Sequence, residues 1–191
     1  TGLVLGLING NLVALLGIPP IVVTLGTLAI FRGMIVVYGG GNQVNASEMG
    51  DVFQSFPKLT FLGLSTIFWI MAAVAIAIWL FLSMTRVGRG LYAVGGNPVA
   101  ARYCGIDLAR QQMLVYALSG AISGLCGYLW VSRYGVAYSE IASGFELTVI
   151  AACVIGGISI AGGVGTVAGA LLGALFLGVI VKALPVMQVP P

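Results

Sequence analysis

The chain has 191 residues, of which 60% are hydrophobic and 7% charged, with eight basic residues, five acidic ones, no histidine and a net charge of +3. A soluble domain keeps itself dispersed with about a quarter of its surface charged, so a soluble fold is excluded and lipid is the solvent for most of this chain. The lack of histidine removes the commonest general base and metal ligand, and the basic residues form no broad face for nucleic acid.

A bilayer core of about 30 Å requires roughly 20 apolar residues in helix. The first stretch that answers this description is 1–16, ended by Gly17-Ile18-Pro19-Pro20 because proline disfavours helix just before itself. The same prolines open the second span, 20–38, which Gly39-Gly40-Gly41-Asn42 closes. Arg32 lies well inside this span; it either faces a water-filled path or snorkels toward the headgroups. Residues 39–58, with Glu48, Asp51 and Pro57, form a polar loop that carries a short amphipathic turn near Val52 to Phe56. A third span covers 59–84.

The next stretch, 85–112, holds Arg86, Arg89, Arg102 and Arg110 against a single acid, Asp107, and the positive-inside rule places it in the cytoplasm. Loops 39–58 and 132–144 are then external. Within 85–112 the run from Val99 to Asp107 reads as a short amphipathic helix, with Asn97 as N-cap, Pro98 at the first position and Gly105 to end it. An exposed helix of this kind docks on a partner or lies on lipid.

A fourth span, 113–131, repeats small residues at Ser119, Gly120, Ser123, Gly124 and Gly127, the spacing for close approach to a neighbouring helix in lipid. From 145 to 160 the chain is apolar but too short to cross before it runs into Gly156-Gly157 and Gly162-Gly163-Val164-Gly165. This reads as a broken or re-entrant segment. Irregular backbone at membrane depth is tolerated where it is buried in protein or lines a wet cavity, which makes the glycine-rich stretch a candidate solute path, although tight helix packing is an equal reading. Glu146 either caps this segment or contacts solute hydroxyls. The last span, 166–184, contains the pair Gly169 and Gly173.

No Gly-Lys-Ser/Thr ending follows the glycine run, so the chain carries no phosphate loop. Cys104, Cys126 and Cys153 have no CxxC spacing and suggest neither a disulfide framework nor a metal site. The expected fold is an all-α polytopic transmembrane bundle with a broken or re-entrant glycine-rich segment and a short cytoplasmic helix, a fragment of a larger protein whose two ends look cut.

Three blocks resemble the permeases of ribose-type ABC sugar importers. The first is Ile18-Pro19-Pro20-Ile21-Val22-Val23-Thr24-Leu25-Gly26-Thr27 with Arg32-Gly33; the second is Gly88-Arg89, then Tyr92 through Arg102, then Gly105-Ile106; the third is Gly144-Phe145-Glu146-Leu147 through Gly162-Gly163-Val164-Gly165-Thr166. The wording around Leu129 to Arg133 and Leu184-Pro185 looks closest to rhamnose-type and autoinducer-2-type importers. The resemblance implies a bacterial inner-membrane subunit that is not itself an enzyme and holds no cofactor, ATP and magnesium being bound by a partner ATPase. It also implies a second permease subunit, identical or paralogous, and an external solute-binding protein. The ATPase-coupling residues would be Asn97, Pro98, Ala100, Arg102 and Gly105. Thr24, Thr27, Arg32, Glu146, Ser159 and Thr166 are the expected path-lining residues. A secondary transporter driven by an ion gradient is the alternative; it calls for an intramembrane acid, and Glu146 lies near an edge.

Overall fold

The computed structural model describes residues 1–40, 43–45, 49–50, 53, 60–61 and 63–186. Its elements in chain order are α1 (Gly2–Ala14), α2 (Pro20–Gly39), β1 (Val44–Asn45), β2 (Thr60–Phe61), β3 (Leu64–Ser65), α3 (Thr66–Met84), α4 (Arg86–Gly96), α5 (Pro98–Tyr103), α6 (Leu108–Tyr134), β4 (Val136–Ala137), α7 (Phe145–Ile155) and α8 (Val167–Val186). The fold is all-α, its strands being two-residue pairings in the connections. Helices α2, α3 and α6 are long and apolar enough to cross a membrane. Two compact units share the chain: residues 1–74 with 107–141, and residues 75–106 with 142–191.

The first unit is built on the pairing of α1 with α6. Gly2, Gly6 and Gly10 recur every fourth residue on α1 and meet the backbone of α6 at Met113, Tyr116, Gly120 and Gly124. A Cβ on Gly120 would stand 2.8 Å from Gly6 Cα, and one on Gly2 would stand 2.9 Å from Gly124 Cα. Side chains are therefore excluded from this contact, and the small residues expected to pack in lipid do so at Gly120 and Gly124. Gly127, from the same repeat, meets open space.

Helix α2 starts with Pro20 in its first turn and ends at Gly40, whose φ of 59° is the left-handed conformation of a helix C-terminus. Beyond it, β1 pairs antiparallel with β4, Val44 opposite Ala137 and Asn45 opposite Val136. Nearby in sequence, the Ser132 hydroxyl donates to the Phe53 carbonyl, and the Phe53 ring meets Tyr128 edge to face at 5.1 Å. The expected turn near Val52 to Phe56 lies outside the described residues apart from Phe53, as do Glu48 and Asp51.

In the second unit α7 packs on α8 through another glycine contact. A Cβ on Gly173 would stand 2.7 Å from Gly156 N, and one on Gly156 would stand 2.7 Å from the Gly169 carbonyl carbon. With 11 residues, α7 is about 17 Å long at 1.5 Å per residue, well short of a bilayer core. The chain after it turns without helix until Thr166, whose hydroxyl accepts from Gly169 N at 3.0 Å and caps α8.

Several boundaries differ from the sequence expectation. The stretch 85–112 holds two whole helices rather than one, and the start of a third. Thr85 caps α4, accepting from Gly88 N at 2.9 Å, and Gly88 survives inside the helix because a Cβ there would stand 2.6 Å from Leu82 Cα. Helix α5 stops at Tyr103 rather than reaching Asp107, because Asp107 caps the next helix: its Oδ1 accepts from Arg110 N at 3.2 Å and its Oδ2 pairs with Arg110 Nε at 3.0 Å. Helix α6 consequently starts at Leu108 rather than residue 113 and runs through the expected loop residues Ser132 and Arg133. Helix α3 starts at Thr66, behind the β2–β3 hairpin, rather than at residue 59.

Candidate functional site

Three features of the fold can carry function: the segment α4–α5 and one groove in each unit. In α5 the Asn97 side chain accepts from both Val99 N and Ala100 N at 3.0 Å, satisfying two donors that a helix start leaves open, while Pro98 needs none. Gly105, at φ 79°, turns the chain out of the helix. The helix buries Ala101 and exposes Val99, Ala100, Arg102 and Tyr103, the last at 88%. All five residues expected to couple to an ATPase thus sit in α5 or in the residues that bound it, with an apolar and cationic surface uncovered.

The groove of the first unit has a volume of about 500 Å³. Thr24 and Thr27 of α2 line it together with Asn9 of α1 and Tyr116, Ser119 and Ser123 of α6. The two threonine hydroxyls donate to their own helix, Thr24 to Pro20 O at 3.0 Å and Thr27 to Val23 O at 2.9 Å, which leaves their oxygens able to accept. Asn9 was missed by the sequence reading. Its Oδ1 is buried and has no hydrogen-bond partner among the described residues, a costly state for an amide in an apolar setting.

The groove of the second unit, about 370 Å³, is lined by Ser159, Thr166 and the glycine stretch 162–165, with Tyr92 of α4 and apolar residues of α3. Its wall is non-helical backbone held by Ser159 N donating to Val164 O at 2.9 Å and Gly162 N donating to Ser159 O at 3.1 Å. Gly157, Gly162 and Gly163 take φ of 81°, 95° and 73°, values that a side chain disfavours.

Of the expected path residues, then, Thr24 and Thr27 share one groove, and Ser159 and Thr166 share the other. Arg32, half-buried on α2, and Glu146 line neither. Glu146 also makes no side-chain cap: the N-cap position is Gly144, and Glu146 is exposed in the first turn, where its charge complements the helix dipole. No group of three or more metal-binding side chains occurs among the described residues.

Comparison with known proteins adds a family. The model of the family described as "Branched-chain amino acid transport system / permease component" matches residues 1–191. The chain is 40% identical over 189 residues to the autoinducer 2 import system permease protein LsrC of Klebsiella pneumoniae, covering 99% of this chain and 54% of that protein. LsrC of Salmonella typhimurium matches equally, 40% over 189 residues with the same coverage. The ribose import permease protein RbsC of Escherichia coli K12 is 38% identical over 190 residues, 98% of this chain and 59% of the relative. The chain thus spans little more than half the length of these curated relatives. No solved structure matches it.

Proposed function

Since this chain belongs to the branched-chain amino acid transport system / permease component family, we propose that it forms part of the transmembrane path of an ATP-driven importer for a small hydroxylated solute of the ribose or autoinducer-2 class. The observation that carries this reading is its alignment, almost end to end, with import permeases for those two solutes. The permease breaks no bond; a cytoplasmic ATPase hydrolyses ATP, an external binding protein delivers the solute, and a second permease subunit completes the path.

The arginine-rich segment is cytoplasmic in this reading, which turns α4 and α5 toward the ATPase. The surface of α5, with Val99, Ala100, Arg102 and Tyr103 outward, suits a groove on that partner. The polar groups offered to solute are uncharged: Asn9, Thr24, Thr27, Tyr116, Ser119 and Ser123 in one groove, and Tyr92, Ser159, Thr166 and the exposed backbone of the glycine stretch in the other. A set without a charged anchor selects weakly, which assigns most of the selectivity to the binding protein.

The test is binding-protein-stimulated ATP hydrolysis by the complete transporter in liposomes. Ala100→Asp and Tyr103→Ala are expected to insert normally and to lose at least about tenfold of the stimulation, since each alters the docking face and leaves the Asn97 cap intact. Unchanged stimulation would remove α5 as the docking element. Uptake that follows an ion gradient without ATP would refute the importer reading altogether.

A further inference from the structure

The end of α4 touches the glycine stretch backbone to backbone. A Cβ on Gly95 would stand 2.6 Å from Gly163 N and 3.1 Å from Gly163 Cα. One on Gly163 would stand 2.6 Å from Gly96 Cα, and one on Gly162 would stand 2.8 Å from Gly95 O. Four glycines therefore meet with no side chain between them. Both partners are otherwise stiff. The turn is closed by the hydrogen bonds at Ser159 and Gly162, and Gly165 abuts the Ile158 side chain, to which its own Cβ would come within 3.1 Å. Helix α4 is capped by Thr85 and ends at Asn97, whose backbone N–H donates to Ala93 O at 3.0 Å; Asn97 is extended and its side chain opens α5, so a single residue links the two helices.

We propose that Gly95-Gly96 and Gly162-Gly163 form a rigid joint that carries displacement of α5 into the wall of the second-unit groove. Close-packed contacts with no flexible side chain between them transmit shifts of an ångström instead of absorbing them. Here the distance from docking surface to groove wall is one turn of chain: α5 begins two residues after Gly96, and the wall begins at Gly162. Gly95 is on this account a positioning residue, touching neither solute nor ATPase. The inference rests on the importer reading above, because it needs a partner that moves α5.

Two variants and a cross-link test the joint in the complete transporter, reconstituted with its ATPase and binding protein. Gly95→Ala places a methyl group against Gly163 backbone, while Gly96→Ala, one residue on, points its methyl into open space. The expected result is that Gly95→Ala keeps binding-protein-stimulated ATP hydrolysis within about twofold but moves at least about tenfold less solute per ATP, with Gly96→Ala near wild type in both. A wild-type ratio of solute to ATP in Gly95→Ala overturns the joint and leaves the importer reading standing; a wild type without ATP-dependent uptake overturns the importer reading itself. Should Gly95→Ala fail to assemble, a cysteine pair at Val94 and Ala161, which adjoin the four glycines in sequence and do not line the groove, decides the matter in a background with Cys104, Cys126 and Cys153 replaced by serine. Elements that move as one body tolerate a short thiol-specific bridge, so uptake is expected to survive it; a bridge that abolishes uptake shows that α4 and the stretch move apart, and the joint is refuted.

Discussion

Asn97 does two jobs with one side chain, ending α4 and starting α5, and its amide oxygen holds two backbone donors at once. Replacing it by alanine removes a cap of about 1 kcal/mol and is expected to speed amide hydrogen exchange at Val99 and Ala100 roughly fivefold, while exchange in α6, capped separately by Asp107, stays as it was. At Asn9 the balance runs the other way. The buried oxygen has no partner among the described residues, so Asn9→Leu should leave assembly intact or improve it. If Asn9 meets solute in the path, the same variant raises KM for uptake several-fold with little change in the ATPase rate of the unloaded transporter. Asn9 escaped the sequence reading because one amide in an apolar helix has no spacing to betray it; only its place beside Thr24, Thr27 and Ser119 gives it meaning.

At the scale of elements, what was legible followed from covalent constraints and what was not followed from packing. Pro19-Pro20 marks the start of α2 and Asn97-Pro98 the start of α5, because proline's fixed φ and missing donor act locally wherever they occur. The shortness of α7 could likewise be counted from Glu146 to Gly156. Helix α4 could not be read in this way: with Gly88, Gly90, Gly95 and Gly96 among 11 residues, its propensity is poor, and it is held by Gly88 fitting against Leu82 and Gly95 against Gly163. The site followed the same division. The residues of α5 were recognisable by their caps, whereas the contact of α4 with the glycine stretch depends on two segments about 65 residues apart in the chain. Glycines on α1 and α6 give the sharpest element-scale expectation. Gly120→Leu forces a side chain into Gly6 backbone and should reduce the amount of assembled transporter at least about tenfold, while Gly127→Leu, facing open space, leaves it unchanged; quantitative immunoblotting of purified membranes reads both.

For the molecule as a whole, three helices among the described residues are long and apolar enough to cross a membrane, and the cysteines report which side each segment faces. Cys104 ends α5 and Cys126 lies within the apolar helix α6, both exposed on the chain's own surface. With the arginine-rich segment in the cytoplasm, a membrane-impermeant maleimide should label Cys104 in inside-out vesicles and not in right-side-out ones. Cys126, surrounded by lipid or protein, should stay unlabelled in both, and labelling of Cys104 from the outer face would invert the topology. Apolar side chains line the outward faces of α2 and α8, Val37 at 79% and Leu172 and Val179 at 67% exposure among them. In the importer reading proposed above, lipid, further permease segments and a second subunit would cover them.

The pairing of α1 with α6 also sets a timetable. Gly6 and Gly120 are more than a hundred residues apart, and a ribosome adding roughly 5–20 residues per second leaves the newborn α1 in the bilayer for on the order of ten seconds before its partner exists. Through that interval the glycine face of α1 lacks α6, the helix it packs on in the finished fold. A translational pause anywhere before Leu108 lengthens the wait and exposes the nascent chain to membrane proteases, so the abundance of this protein should depend on how quickly the middle of its message is read.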